Sequence, residues 1–135
     1  MHIDSPISTI MTTNVKCVSP SQKLVDIKHI YEQRNFHHHI PVTQDKKLVG
    51  IVSLIDFVRR LNDAGLDDNE AVYQKLSAAD IMTRNPFYVT SDTSIKEVSQ
   101  ILAKGEFHAI IVVDNNAVSG IVSSSDVIQY LLDSQ

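Results

Sequence analysis

Gly50-Ile51-Val52-Ser53-Leu54-Ile55-Asp56 returns later in the chain as Gly120-Ile121-Val122-Ser123-Ser124-Ser125-Asp126. A duplication of this kind limits the fold more than any single motif, because the architecture one half adopts must also serve the other. The repeat reaches well beyond these seven residues. Ile10-Met11-Thr12 matches Ile81-Met82-Thr83 at a spacing of 71 residues, and at the same spacing Asn14 matches Asn85, Val18 matches Val89, Ile30 matches Ile101 and Phe36-His37 matches Phe107-His108. Past a turn the spacing becomes 70 residues, as a single deletion in a surface loop would produce.

Within each half the elements follow one order. A short extended stretch (residues 15–18 and 87–89) leads into a helix. Ser19-Pro20-Ser21-Gln22 supplies the serine, proline and glutamine of a capped helix start. The first helix places Leu24, Ile27, Ile30 and Tyr31 on one face, and its counterpart uses Ile95, Val98, Ile101 and Leu102. Gly105 suits a helix C-terminus. Two strands follow in each half, 36–42 with 47–52 and 109–113 with 118–122, joined by the polar turns Gln44-Asp45-Lys46 and Asn115-Asn116. The helix after the repeated heptad closes the half.

The expected organisation is therefore a first repeat over 7–61, an acidic connector over 62–76 and a second repeat over 77–132, in an α/β (α+β) fold. Ala71, Val72, Leu76 and Ala79 predict that the end of the connector is helical and docks on the core, while Asp63, Asp67, Asp68 and Glu70 read as a solvated face. A lone repeat is near the size at which a single core is marginal. The two sheets are accordingly expected to pack face to face with pseudo-two-fold symmetry. That packing would leave two clefts, each flanked by the N-terminus of a heptad helix.

The heptad itself has two readings. A buried strand that delivers a hydroxyl and a carboxylate to a helix N-terminus builds a polar corner that favours phosphate, since the first N–H groups are free and the helix end is partly positive. Ser-x-x-Asp is equally a capping box, which satisfies those donors without a ligand. Both readings apply to both copies.

Composition narrows the classes of function. The 135 residues carry a formal net charge of −4, which disfavours nucleic acid. The longest apolar run is 109–113, too short for a membrane span. Met1-His2-Ile3-Asp4-Ser5-Pro6 offers neither a basic leader nor an apolar signal region, so a cytoplasmic location is expected. Cys17 is the single cysteine, which excludes a disulfide frame. No Gly-rich phosphate loop, His-Glu-x-x-His or nucleophile elbow is present, and neither catalytic residues nor a required cofactor are expected.

A β-α-β-β-α half with Ile-Met-Thr near its start, Ile40-Pro41-Val42 in a strand and Gly-h-h-Ser-x-x-Asp at its end (h is apolar) resembles the CBS domain. Two in tandem resemble a CBS-domain pair, or Bateman module, and the likeness covers nearly the whole chain. It implies a regulatory module that binds AMP, ADP, ATP or S-adenosylmethionine between the repeats and modulates an unidentified partner protein. It also implies a homodimer. The family pattern assigns Asp56 with Ser53, and Asp126 with Ser123, to ribose and phosphate, Ser125 adding a further hydroxyl. Ile51 and Ile121, just after the glycines, would let backbone approach adenine. Thr12, Lys16, Cys17, His37 and His38 would flank base or phosphate in one cleft, and Thr83, Phe87, Tyr88, His108 and Ala109 in the other. The chain departs from the pattern at Val112, which stands where the first half has Pro41. Neither Ser-to-Asp stretch holds a Lys or Arg, so phosphate neutralisation would fall to Arg34, Arg59, Arg60, Arg84 or a histidine. The alternative is a ligand-free interaction scaffold in which both motifs only cap helices.

Other residues read more plainly. On a strand His37 and His39 share a face and His38 points away, a pair without a third metal ligand, so no metal site is expected. Cys17 reads as a small strand residue, and Tyr31 and Phe36 read as core.

Overall fold

A computed structural model describes residues 2–33, 38–61 and 64–135. Phe36 and His37, like Arg34 and Asp63, lie outside the described residues. The chain forms two compact units whose limits are offset from the sequence repeats. The central unit is Lys16–Pro86, and the terminal unit joins Met1–Val15 to Phe87–Gln135. Each unit thus takes the Ile-Met-Thr segment that the sequence assigns to the other repeat.

In the central unit α1 (Leu24–Tyr31) precedes the hairpin of β1 (His39–Gln44) and β2 (Lys47–Ser53), followed by α2 (Leu54–Leu61), α3 (Ala71–Lys75), α4 (Ala78–Ile81) and β3 (Thr83–Arg84). β1 pairs antiparallel with β2, which pairs antiparallel with β3, and Val18 bridges in parallel to Val42. Asp45 and Lys46 turn the hairpin with φ of 52° and 71°. Two successive left-handed residues match the twist of a two-residue hairpin. The core gathers Leu24, Ile27, Ile40, Val42, Val52, Phe57 and Tyr73.

The terminal unit repeats this plan. A short 3-10 turn at Ile7–Thr9 is followed by β4 (Tyr88–Val89), α5 (Ile95–Ala103), β5 (Ala109–Asp114), β6 (Ala117–Ser123) and α6 (Ser124–Asp133). β4 runs parallel to β5 and β5 antiparallel to β6, while Thr12 bridges Ile121 on the far side of β6. Asn115 and Asn116 turn the hairpin with φ of 51° and 67°, and Gly105 ends α5 at φ 81°. Asn14 and Asn85, matched in the repeat, are both left-handed at 56° and 49°. Asparagine tolerates that conformation because its short polar side chain can bond locally, which gives the repeated asparagine a backbone reason. Ile7, Ile95, Val98, Ile110, Val112 and Val122 form the core. Among the described residues no helix is long and apolar enough to cross a membrane.

The glycine of the heptad has a steric reason as well. A Cβ on Gly120 would stand 2.7 Å from the Thr12 carbonyl oxygen and 2.8 Å from Met11 Sδ; one on Gly50 would stand 2.5 Å from Met82 Sδ and 3.0 Å from the Thr83 oxygen. Glycine is needed where the Met-Thr backbone crosses the strand.

Two expectations are corrected. The Ser19-Pro20-Ser21-Gln22 cap does not form, since α1 starts at Leu24 behind Lys23 with no side-chain cap. The segment pairs instead with the residues before α4: Leu24 N–H donates to Leu76 O (2.9 Å), Ala78 N–H to Gln22 O (2.8 Å) and Ala79 N–H to Pro20 O (2.9 Å). The terminal unit has the matching bond, Ile95 N–H to Ser5 O at 2.9 Å, and there Ser94 Oγ also caps α5 by accepting from Glu97 N–H at 3.0 Å. Nor is the acidic connector only a solvated face. Asp68 accepts from Lys28 Nζ at 2.7 Å, Glu32 accepts from the same ammonium at 3.0 Å, and Asp68 also bonds His29 Nε2 at 2.8 Å. Lys28 is buried, and Tyr73, fully buried, donates to Gly65 O at 2.6 Å, so the connector is pinned to α1 by charge and by an aromatic anchor.

Two outcomes follow for stability. Gly120→Ala is expected to cost about 1–3 kcal/mol, the range for overpacking, in a urea titration of the purified chain; a cost near zero would remove the close-approach account. The bonds from Lys28 and His29 hold the Asp68 carboxyl below its ordinary value. A depressed folded-state pKa contributes stability above the unfolded value, about 3.9 for aspartate, and loses it as pH falls through the folded value. Asp68→Asn should therefore lower stability at neutral pH and flatten its acid-side decline, and a pH series of melting curves that matched the parent's would refute the pin.

Candidate functional site

Each heptad ends a strand and begins a helix, and in both units the Ser-x-x-Asp closes a reciprocal cap. Asp56 N–H donates to Ser53 Oγ at 3.0 Å, and Ser53 N–H donates to Asp56 Oδ2 at 3.4 Å. In the terminal unit Asp126 N–H donates to Ser123 Oγ at 3.2 Å and Ser123 N–H to Asp126 Oδ2 at 2.8 Å, while Ser125 Oγ lies 2.8 Å from Ser123 Oγ. The sequence cause is the spacing itself: three residues bring a side chain back over the first turn. In each pair the cap engages Oδ2, and among the described residues Oδ1 of Asp56 and of Asp126 has no hydrogen-bond partner. A half-buried carboxylate held by its own cap with one oxygen uncommitted can accept from a pair of neighbouring hydroxyls.

The structure sorts the remaining candidates by unit. Thr12 and Ile121 exchange backbone bonds of 2.8 and 3.0 Å in the terminal unit, where Phe87, Tyr88, His108 and Ala109 also lie. Thr83 pairs with Ile51 in the central unit, which also holds Lys16, Cys17 and His38. Thr12 and Thr83 therefore each join the heptad of the opposite repeat. His38 and His108 meet the heptad helices through backbone, their carbonyls accepting from Leu54 N–H (2.8 Å) and Ser124 N–H (3.1 Å). Both histidines are exposed. Phe87 stacks on Phe107 with centroids 5.4 Å apart and 18° between planes, and Phe87 and Tyr88 are about half exposed.

Two pockets lie inside single units. Lys16 and Cys17 line one of about 290 Å³ with Gln22, Asp26, His29 and Gln33 along α1, and neither Ser53 nor Asp56 reaches it. Burial raises the Cys17 thiol above its ordinary pKa, so it stays protonated there. The other, about 370 Å³, is lined by Asp126, Gln129, Tyr130 and Asp133 with Thr9 and Ile10. Gln129, Tyr130 and Asp133 escaped the sequence reading, although with Asp126 they have the spacing of one helical face, which could have found them. In the central unit Tyr31 lies against Phe57 at 5.3 Å and donates to His38 O at 3.2 Å. Burial, then the Asp56 carboxylate, pushes its hydroxyl well above the ordinary tyrosine pKa. His29, Glu32 and Asp68 bring ligand atoms within 4.8 Å of one another. The Lys28 ammonium already bonds both acids, so the cluster is an ion-pair network of the fold.

Comparison with known proteins returns one family. The model of the CBS domain matches residues 7–63 and 78–133. An uncharacterized protein of Methanocaldococcus jannaschii, MJ0188, is 34% identical over 91% of this chain, which spans only 43% of that relative's length. The crystal structure of CBSX2 in complex with AMP superposes with a TM-score of 0.79 at 23% identity, over 96% of this chain and 98% of that one; a second structure of the protein gives its source as Arabidopsis thaliana. The CBS domain pair of protein MJ0100, solved with 5′-methylthioadenosine and S-adenosyl-L-methionine, also gives 0.79, at 22% identity over 97% and 98% of the two chains.

Proposed function

The chain belongs to the CBS-domain family, and on that premise we propose that it is a regulatory module that binds an adenosine-containing ligand and alters its affinity for a partner protein. The observation that carries this reading is the paired carboxylate. Asp56 and Asp126 each sit at the first turn of a helix, fixed by a reciprocal cap, with Oδ1 left to accept from ribose hydroxyls. The AMP bound by CBSX2 and the S-adenosylmethionine bound by MJ0100 support an adenosine moiety as the common element of the ligand. Regulation requires that the ligand favour one of two arrangements of the molecule, since a ligand with equal affinity for both shifts nothing.

The caps also favour a second reading, a scaffold without ligand, because each Ser-x-x-Asp satisfies itself within the chain. Thermal unfolding separates the two. A ligand at one hundred times its dissociation constant stabilises by about 2.7 kcal/mol, so AMP, ATP or S-adenosylmethionine is expected to raise the melting point by several degrees. Asp126→Ala or Asp56→Ala should abolish the rise at its own site. On the scaffold reading Asp126→Ala costs about 1 kcal/mol, with or without nucleotide, and no compound moves the parent's melting point.

A second copy of the chain is the partner best supported by the surface. Ile55 and Val58 on α2, and Ile128, Leu131 and Leu132 on α6, are exposed apolar side chains on the heptad helices. Sedimentation velocity at micromolar concentration should find a dimer that Leu131→Glu weakens; a monomeric parent chain would dismiss it.

A further inference from the structure

We propose that the Asp126 site of the terminal unit selects an adenosine ligand without net negative charge, a sulfonium nucleoside in preference to a phosphorylated one. This rests on the adenosine-binding reading above and adds the sign of the ligand's charge. The two heptad helices begin alike. In each, the first N–H is taken by a histidine carbonyl and the aspartate N–H by the serine hydroxyl. The helix ends therefore offer a phosphate the same backbone, and the side chains further along the same face decide between ligands.

Those side chains differ in kind. Three and four residues after Asp56 stand Arg59 and Arg60; three and four residues after Asp126 stand Gln129 and Tyr130. Residues at these spacings share a helical face. In the terminal unit the face lines a pocket of about 370 Å³, within the range of small-molecule sites, and its walls hold two carboxylates, Asp126 and Asp133, with no lysine, arginine or histidine among the described residues. Gln129 Nε2 donates to Asp133 Oδ1 at 2.8 Å, which fixes that acid on the pocket wall. The wider field has the same sign. The terminal unit carries two lysines against seven acids, a formal −5, whereas the central unit carries ten Lys and Arg against nine acids, a formal +1. A phosphate brought to Asp126 would meet like charge, while a methylated sulfur bearing a positive charge would meet its complement.

Calorimetry on the full chain in about 50 mM salt tests this, with AMP, ATP, 5′-methylthioadenosine and S-adenosylmethionine as probes. Asp56→Asn isolates the terminal site, since asparagine keeps an oxygen acceptor for the cap. In that variant S-adenosylmethionine and 5′-methylthioadenosine are expected to bind at least about tenfold more tightly than AMP. Adding Gln129→Arg, which restores the arginine found in the other repeat, should narrow the ratio about tenfold by improving AMP binding, a gain that a misfolded variant cannot mimic. AMP or ATP binding to Asp56→Asn as tightly as the uncharged nucleoside overturns the inference but keeps adenosine binding. Loss of all binding in Asp56→Asn, with binding intact in the parent, likewise rejects it. Silence from the parent with all four compounds removes the broader reading as well.

Discussion

The Thr12 carbonyl oxygen occupies the place where any side chain on residue 120 would begin, and Thr83 stands in the same relation to residue 50. Much of the structure depends on those two crossings. A glycine without Cβ lets a backbone segment lie directly on the heptad strand, so Ile-Met-Thr can complete the sheet of a unit to which it is distant in sequence. The strand is then held on both sides, and its end, where serine and aspartate stand, is set by main-chain bonds. The repeated asparagines complete the crossing, turning the chain in a left-handed conformation just after each Thr.

With the strand end held, the cap and the candidate site are one piece of chemistry. The serine hydroxyl and one carboxylate oxygen satisfy backbone donors, which holds the helix start, and the other oxygen has no hydrogen-bond partner among the described residues. The structural role and the proposed binding role therefore fall to different atoms of the same side chain. Divergence between the copies has left this core unchanged and altered the next turn, where the arginines of one repeat are replaced by a glutamine and a tyrosine at the matched positions of the other.

The heptads, both hairpins with their polar turns and the apolar faces of α1 and α5 were legible in the sequence, because each depends on residues close together in the chain. What was not legible depends on distant pairings. In place of the capped start expected at Ser19, residues 20–24 pair with residues 76–79, and no local signal at residues 19–22 announces that. Asp68 read as solvent-facing because its partner, Lys28, lies forty residues earlier on a helix whose burial only the fold reveals. The grouping of Thr12 with Asp126, rather than with Lys16, has the same origin. Gln129, Tyr130 and Asp133 could have been recognised by extending the helical face from Asp126, since that rule is local.

The offset between repeats and units bears on how the molecule comes into being on the ribosome. The central unit is one continuous stretch and can close as soon as Pro86 is free of the exit tunnel. The terminal unit joins residues 1–15 to residues 87–135, so Ile7 meets its partner only once Thr93 has been translated, and Thr12 only once Ile121 has. At about 5–20 residues per second that interval lasts seconds, and during it the backbone of Thr12 lacks the strand partner that the finished unit gives it.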